Sequence, residues 1–188
     1  MKILISYFTQ TGNTEKVARA IYDEVSSQEH EAHLKRIKEI AVDSLNDYDL
    51  IFIGSTCHSA DLANPVKQIL QEVAESPKFK LAGFATHATH TPEGGKREQE
   101  LYKRWASKCI VSFNKASQEK QIDFLGYFNC QGAPSAPIEA FIHNEIIIDE
   151  DEWKEYIAEV RKHPDTEDLQ QAKEFARQVL AKCKEEKL

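Results

Sequence analysis

Five short apolar runs alternate with stretches of helical periodicity along the chain, and few architectures accept that order. A parallel strand must be reached by a crossover, and the crossover is usually a helix, so the alternation predicts a parallel sheet with helices on both faces. The first run covers about residues 2–8. The helix after it starts near Thr14 and places Val17, Ala18, Ile21 and Val25 on one side. Residues 33–37 carry enough charge to suit an edge strand. Residues 49–55 are apolar on consecutive positions, as a strand buried on both faces requires.

The pattern continues with a helix near residues 65–73, whose Pro65 suits a first turn, and a fourth strand over residues 80–86. Gly94 and Gly95 open a helix expected to carry Leu101, Trp105 and Cys109 on one side. A fifth strand covers residues 122–128. Pro134 and Pro137 break the chain after it, and two helices are expected near residues 151–162 and 166–183. Pro164 separates them, with Asp165 or Thr166 as the cap of the second. A five-stranded domain needs only one helix there, so about residues 133–163 read as a helical insertion in one unit spanning residues 1–188. The acidic run at residues 149–152 suits a solvated helix start, where carboxylates meet the positive end of the helix dipole.

The net charge of −7 argues against nucleic acid and anionic membrane surfaces as partners. Small molecules and proteins with basic docking faces are left. No apolar stretch is long enough for a membrane span, and the chain enters its first strand without a signal-peptide pattern. The four cysteines, Cys57, Cys109, Cys130 and Cys183, show no C-x-x-C spacing. That disfavours a zinc ribbon or thioredoxin motif and favours a reducing compartment, so the cytoplasm is the expected location.

Between the first strand and the first helix lie Thr9-Gln10-Thr11-Gly12-Asn13-Thr14. Three threonines, an asparagine and a glycine among these six residues, at a helix amino terminus, provide free N–H groups and neutral donors for a phosphate. The loop contains no Lys or Arg, which suits a resident monophosphate better than a triphosphate that must be cleaved. Neither G-x-x-x-x-G-K-[ST] nor G-x-G-x-x-G is present here, so ATP, GTP and a Rossmann mode for NAD are disfavoured. A bare helix cap needs only one Ser, Thr, Asp or Asn, and this loop has far more.

Residues 6–14, Ser-Tyr-Phe-Thr-Gln-Thr-Gly-Asn-Thr, resemble the phosphate-binding signature of the flavodoxin family, in which T-x-T-G-N-T follows the first strand. The resemblance implies a three-layer, doubly wound α/β fold with five parallel strands in the order 2-1-3-4-5, and one bound FMN. It implies that Thr9, Gln10, Thr11, Gly12, Asn13 and Thr14 hold the FMN phosphate. It also implies that Ser55, Thr56, Cys57 and His58 after the third strand, with Thr86, His87 and His90 after the fourth, hold the isoalloxazine ring. Residues 126–132 and 163–169 resemble segments of a less characterised group of flavodoxin-domain proteins.

Two departures from electron-transfer flavodoxins stand out. The ring loops offer no Trp or Tyr, and His58, His87 and His90 are their only flat side chains. Gly83 is the one glycine between Ser55 and Thr91, so a glycine that lets a peptide flip toward the flavin is missing. His87 and His90 are candidates for donating a proton or hydrogen bond to the flavin or a substrate. A metal site built from His58, His87, His90, Cys57 and Cys130 is a weaker alternative, as is a Cys57–Cys130 redox pair; ordinary polar pocket lining is the plainest. The leading expectation is an electron carrier between protein partners. The alternative is an FMN-dependent NAD(P)H oxidoreductase acting on a quinone or another small acceptor, as a monomer or homodimer. The insertion, with Phe141, Ile142 and Ile146–Ile148, would be a lid, an oligomer contact or simple helix packing.

Overall fold

The computed structural model describes residues 1–185. Its central sheet is built from β1 (Lys2–Tyr7), β2 (Glu31–Arg36), β3 (Leu50–His58), β5 (Lys80–His87) and β6 (Phe124–Gln131). These five run parallel in the order β2-β1-β3-β5-β6, with a two-residue strand β4 (Asp61–Leu62) folded back antiparallel on the end of β3. Counting the five parallel strands alone, this is the expected 2-1-3-4-5 order.

Helices cover both faces. On one side α1 (Asn13–Ser27) packs beside α7 (Thr166–Glu185). Val17, Ala18, Ile21 and Val25 of α1 meet Ile3, Ile5, Phe52 and Phe84 of the sheet in one buried cluster. On the other side α2 (Asn64–Glu72) and α4 (Lys108–Lys120) cover Leu4, Ile51, Ile53 and Leu81. The period-two alternation of side chains explains why Ile51 and Phe52 serve opposite faces. Close packing also fixes small residues: Gly54 is opposite Phe84 in register, and a Cβ at Gly54 would lie 2.2 Å from that ring.

Several boundaries differ from the sequence reading. β3 and β6 each run about three residues further, so Thr56, Cys57 and His58, like Asn129, Cys130 and Gln131, are strand ends rather than loop. The helix after Gly94 and Gly95 is two helices, α3 (Lys96–Trp105) and α4, which separates Cys109 from Trp105. No Gly or Pro marks that break; Ala106 and Ser107 both donate their N–H to the Tyr102 carbonyl, and the chain turns there. The insertion begins with a helix that the sequence reading lacks, α5 (Ala136–Glu145), followed by α6 (Glu150–Val160). Pro137 lies in the first turn of α5, where proline starts a helix rather than breaking the chain. The acidic run behaves as expected, with Asp149 accepting N–H bonds from Asp151 and Glu152 at the start of α6. Asp165, not Thr166, caps α7 by accepting from Glu167 and Asp168.

Candidate functional site

Strand order places an opening at one edge of the sheet. The chain leaves β1 for β2 on one side and then crosses back to β3 on the other. The loops after β1 and β3 therefore diverge and leave a crevice at the carboxyl ends of the strands. A cleft of about 410 Å³ occupies that position. Its wall draws on Gln10, Thr11 and Asn13 from the first loop, residues 56–60 from β3 and its turn, residues 86–90 from β5, and residues 132–135 after β6.

The loop after β1 is shaped from within. Thr9 Oγ1 accepts from the Gly12 N–H at 2.9 Å, and Gly12 takes φ 90°, ψ −9° as the residue before α1. The Asn13 amide donates to Thr11 Oγ1 at 2.9 Å and to the Ala133 carbonyl at 2.7 Å, tying the loop to the segment after β6. Thr14 is fully buried, its hydroxyl paired with that of Thr86 at 2.8 Å. Thr9, Gly12 and Thr14 therefore build the loop, while the exposed Gln10 and Thr11 face outward with it.

The amino terminus of α1 carries no side-chain cap, as is true of α2 to α5, while α6 and α7 are each closed by an aspartate. First-turn N–H groups have no acceptor inside their own helix, so an uncapped terminus beside two exposed polar side chains is a ready anion site. Two nearby cations are engaged elsewhere: Arg19 and Arg36 both pair with Glu15. The loop itself offers neutral donors, and they fit the monophosphate of FMN.

The other expected residues divide into those that face the cleft and those that support it. The buried Ser55 hydroxyl donates to the Thr56 carbonyl and accepts from the Ala63 N–H, so it braces the chain after β4 and lies outside the wall. Thr56, Cys57 and His58 line the cleft, with His58 exposed at its rim. The Cys57 thiol donates to the Trp105 carbonyl at 3.2 Å. After His58 the chain reverses through Ser59 and Ala60, at φ 51° and φ 69°. Both take the left-handed conformation usually left to Gly or Asn in such tight turns, so the turn forms here without glycine.

His87 is 5% exposed. Its Nδ1 lies 3.1 Å from the Thr89 carbonyl and its Nε2 2.9 Å from the Asn129 side-chain amide. Burial pushes its pKa down, so the ring is neutral and has one N–H. Both partners are acceptor oxygens, the Thr89 carbonyl and Asn129 Oδ1, so the single N–H donates to one of them. Both ring nitrogens lie against protein oxygens rather than the cleft, which makes His87 a brace for the strand ends. His90 has no such partners among the described residues; it is half-buried on the cleft wall, and its ring lies 5.5 Å from that of Tyr156. Burial lowers its pKa as well.

The aromatics missing from the ring loops arrive from elsewhere. Trp105 of α3, Phe141 of α5 and Tyr156 of α6 line the cleft, and the Trp105 and Phe141 rings meet edge to face at 5.5 Å. Tyr156 donates its hydroxyl to the Ala88 carbonyl, pinning the loop after β5 to the insertion. Ile142, Ile147, Tyr156 and Val160 form a small core of their own against Ala88. Helices α5 and α6 thus pack together and supply one wall of the cleft. Pro134, Ser135, Ile138, Ile146 and Leu101 also belong to that wall. Helical spacing flagged Leu101 and Trp105, but nothing local tied them to the strand ends.

The weaker site ideas fare differently. Cys57 packs with the α2–α4 cluster and Cys130 with the α1–α7 cluster, on opposite faces of the sheet. Among the described residues, possible metal ligands gather instead at His163, Asp165 and Asp168, within 4.8 Å of one another. There Asp165 caps α7, and Asp168 accepts from the Asp165 N–H and pairs with His163. No helix of the described residues is long and apolar enough to cross a membrane.

Comparison with known proteins matches this geometry. A family model described as "Flavodoxin domain" matches residues 4–177. The Flavodoxin-like domain-containing protein BilS of Clostridioides difficile (strain CD3) is 26% identical over 190 residues, covering 97% of this chain and 98% of that protein. An uncharacterized protein of Methanocaldococcus jannaschii, MJ0298, is 25% identical over 185 residues, covering 96% and 99%. Oxidised flavodoxin 2 from Bacillus cereus superposes with a TM-score of 0.65 over 97% of this chain and 99% of its own, at 20% identity. That structural likeness is one of fold.

Proposed function

The chain belongs to the flavodoxin-domain family, whose cofactor is FMN, and on that premise we propose that it carries electrons between redox partners on one FMN held at the carboxyl edge of its sheet. The observation that carries this reading is the open, uncapped start of α1, with Gly12 in the left-handed region and Gln10 and Thr11 exposed beside it. When bound, FMN supplies a centre that accepts electrons singly or in pairs.

The residues divide the work of holding it. First-turn N–H groups of α1, with Gln10 and Thr11, grip the phosphate; Asn13 keeps that loop against Ala133. Thr56, Cys57, His58, Thr86, His87 and His90 border the ring, and their backbone groups pair with its polar edge. Trp105, Phe141 and Tyr156 would keep water out of the cleft beside it. His90 is the better candidate for holding a proton near the ring, because both nitrogens of His87 lie against protein oxygens. A net charge of −7 favours partners with basic faces. The protein works in the cytoplasm as a monomer or homodimer.

An anaerobic redox titration followed in the visible range tests the carrier role. Two resolved one-electron steps are expected. A single two-electron step, together with rapid oxidation of NAD(P)H by the loaded protein, would replace this reading with a reductase acting on a quinone or another small acceptor. One feature favours that second reading. A recess bordered by Arg97, Arg104 and Glu145 adjoins the cleft and shares Leu101, Trp105, Phe141 and Ile146 with it, leaving room for a small acceptor beside the cofactor.

A further inference from the structure

Residues 126–132 and 163–169, two stretches that the sequence set apart, meet through Ala133 beside the phosphate loop. Gly132 donates its N–H to the His87 carbonyl at 2.9 Å, and Ala133 donates its N–H to the His163 carbonyl at 3.0 Å. His163 is held in turn by Nδ1, which donates to Asp168 Oδ2. The same Asp168 oxygen accepts the Asp165 N–H at 2.9 Å, while Asp165 Oδ1 accepts the Asp168 N–H at 3.0 Å, a reciprocal box at the start of α7. On its other side Ala133 gives its carbonyl to Asn13 Nδ2 at 2.7 Å. The approach is close, since a Cβ on Gly132 would lie 2.9 Å from that nitrogen.

We propose that His163 and Asp168 are positioning residues for the flavin phosphate, acting through the orientation of the Asn13 amide; this rests on FMN as the ligand of the cleft. The Ala133 carbonyl can only accept, so it fixes Nδ2 of Asn13 on its side. The second hydrogen of that nitrogen goes to Thr11 Oγ1 at 2.9 Å. Because the Thr11 oxygen accepts there, its own proton is left for an acceptor in the cleft, whose wall includes the exposed Thr11. If Ala133 drifts away, the amide is free to turn over. Its oxygen then faces Thr11 and takes the hydroxyl proton, and the phosphate loses a donor.

Burial favours a fixed arrangement along this route. Asn13 and Asp168 are both buried, and the side chains of His163 and Asp168 are only 15% and 12% exposed, so water competes little for their bond. A hydrogen bond to a carboxylate is also stronger than one between neutral groups. The backbone of residues 132–133 thus has a strand neighbour in His87 and a charged clamp at the start of α7. Helix α7 packs against α1, and through this clamp it also reaches the loop that opens α1.

The test is titration of the full chain with FMN and with riboflavin, which share the ring and differ in the phosphate. His163→Ala is expected to lower FMN affinity about tenfold, the worth of one hydrogen bond to a charged group, and to leave riboflavin affinity unchanged. His163→Asn, whose amide can replace Nδ1 as the donor to Asp168, recovers most of the loss. In an Asn13→Ala background His163→Ala has no further effect, because the route through the amide is already gone. His163→Leu keeps the bulk of the ring without its nitrogens and gives the same readout if the alanine variant does not fold. An unchanged FMN-to-riboflavin ratio in a folded variant, an equal fall for both flavins, or the full loss persisting in the Asn13→Ala background overturns the proposal. A wild type that binds neither flavin, or both alike, removes the FMN reading first and the proposal with it.

Discussion

Gly12→Val is expected to weaken FMN binding by about 100-fold or more while leaving the fold in place. Gly12 holds φ 90° at the start of α1, a conformation that costs a β-branched residue about 1–3 kcal/mol. A Cβ there meets nothing within 4 Å, so packing is indifferent and the whole effect falls on the backbone. Relaxing the strain rotates the N–H groups that follow, and those are the phosphate donors. Each hydrogen bond to a charged group is worth about 1.5–3 kcal/mol. Two lost bonds give roughly 3–6 kcal/mol, which is at least a hundredfold at about 1.4 kcal/mol per decade. Fluorescence titration of FMN measures the affinity, and urea unfolding checks the fold. Gly12→Asn recovers much of the affinity, because asparagine tolerates the left-handed region.

Gly54→Ala is expected to lower unfolding stability by about 3 kcal/mol, the upper end of what overpacking usually costs. The added methyl would lie 2.2 Å from Phe84, whose ring is itself fully buried and cannot swing away. For a chain of this length the loss corresponds to a fall in Tm of roughly 6–12 °C. Adding Phe84→Leu to the same chain restores part of it, because the smaller, more flexible side chain makes room beside the new Cβ. Urea midpoints of the two variants and the wild type measure both effects.

Local signals made the frame readable. Residues 49–55 declared a central strand because the apolar run Leu50 to Ile53 serves both helix layers, Leu50 and Phe52 on one face and Ile51 and Ile53 on the other. The phosphate loop was equally plain, since three hydroxyls, two amides and a glycine in six positions are a purely local signature. Failures came where long-range contacts decide. Ser59 and Ala60 turn in the left-handed region without the Gly or Asn that marks such turns, held by the pairing of Cys57 with Leu62 and His58 with Asp61. That pairing also draws Cys57 and His58 into β3.

The cleft's aromatic wall was hidden for the same reason. Trp105, Phe141 and Tyr156 sit on three helices, and only the docking of the insertion against Ala88 brings them to the strand ends. His87 looked like an acid–base candidate from its position alone. Its role as a brace became visible only with Asn129 and Thr89 placed around it.

The account turns on whether uncharged donors at the start of α1 hold a flavin phosphate. Adding FMN to the purified protein and following its fluorescence, with riboflavin run in parallel, tests this directly. Tight, saturable quenching by FMN at one equivalent, and binding of riboflavin weaker by about 100-fold, is the predicted result. Equal affinity for the two flavins, or no quenching by either, would contradict it.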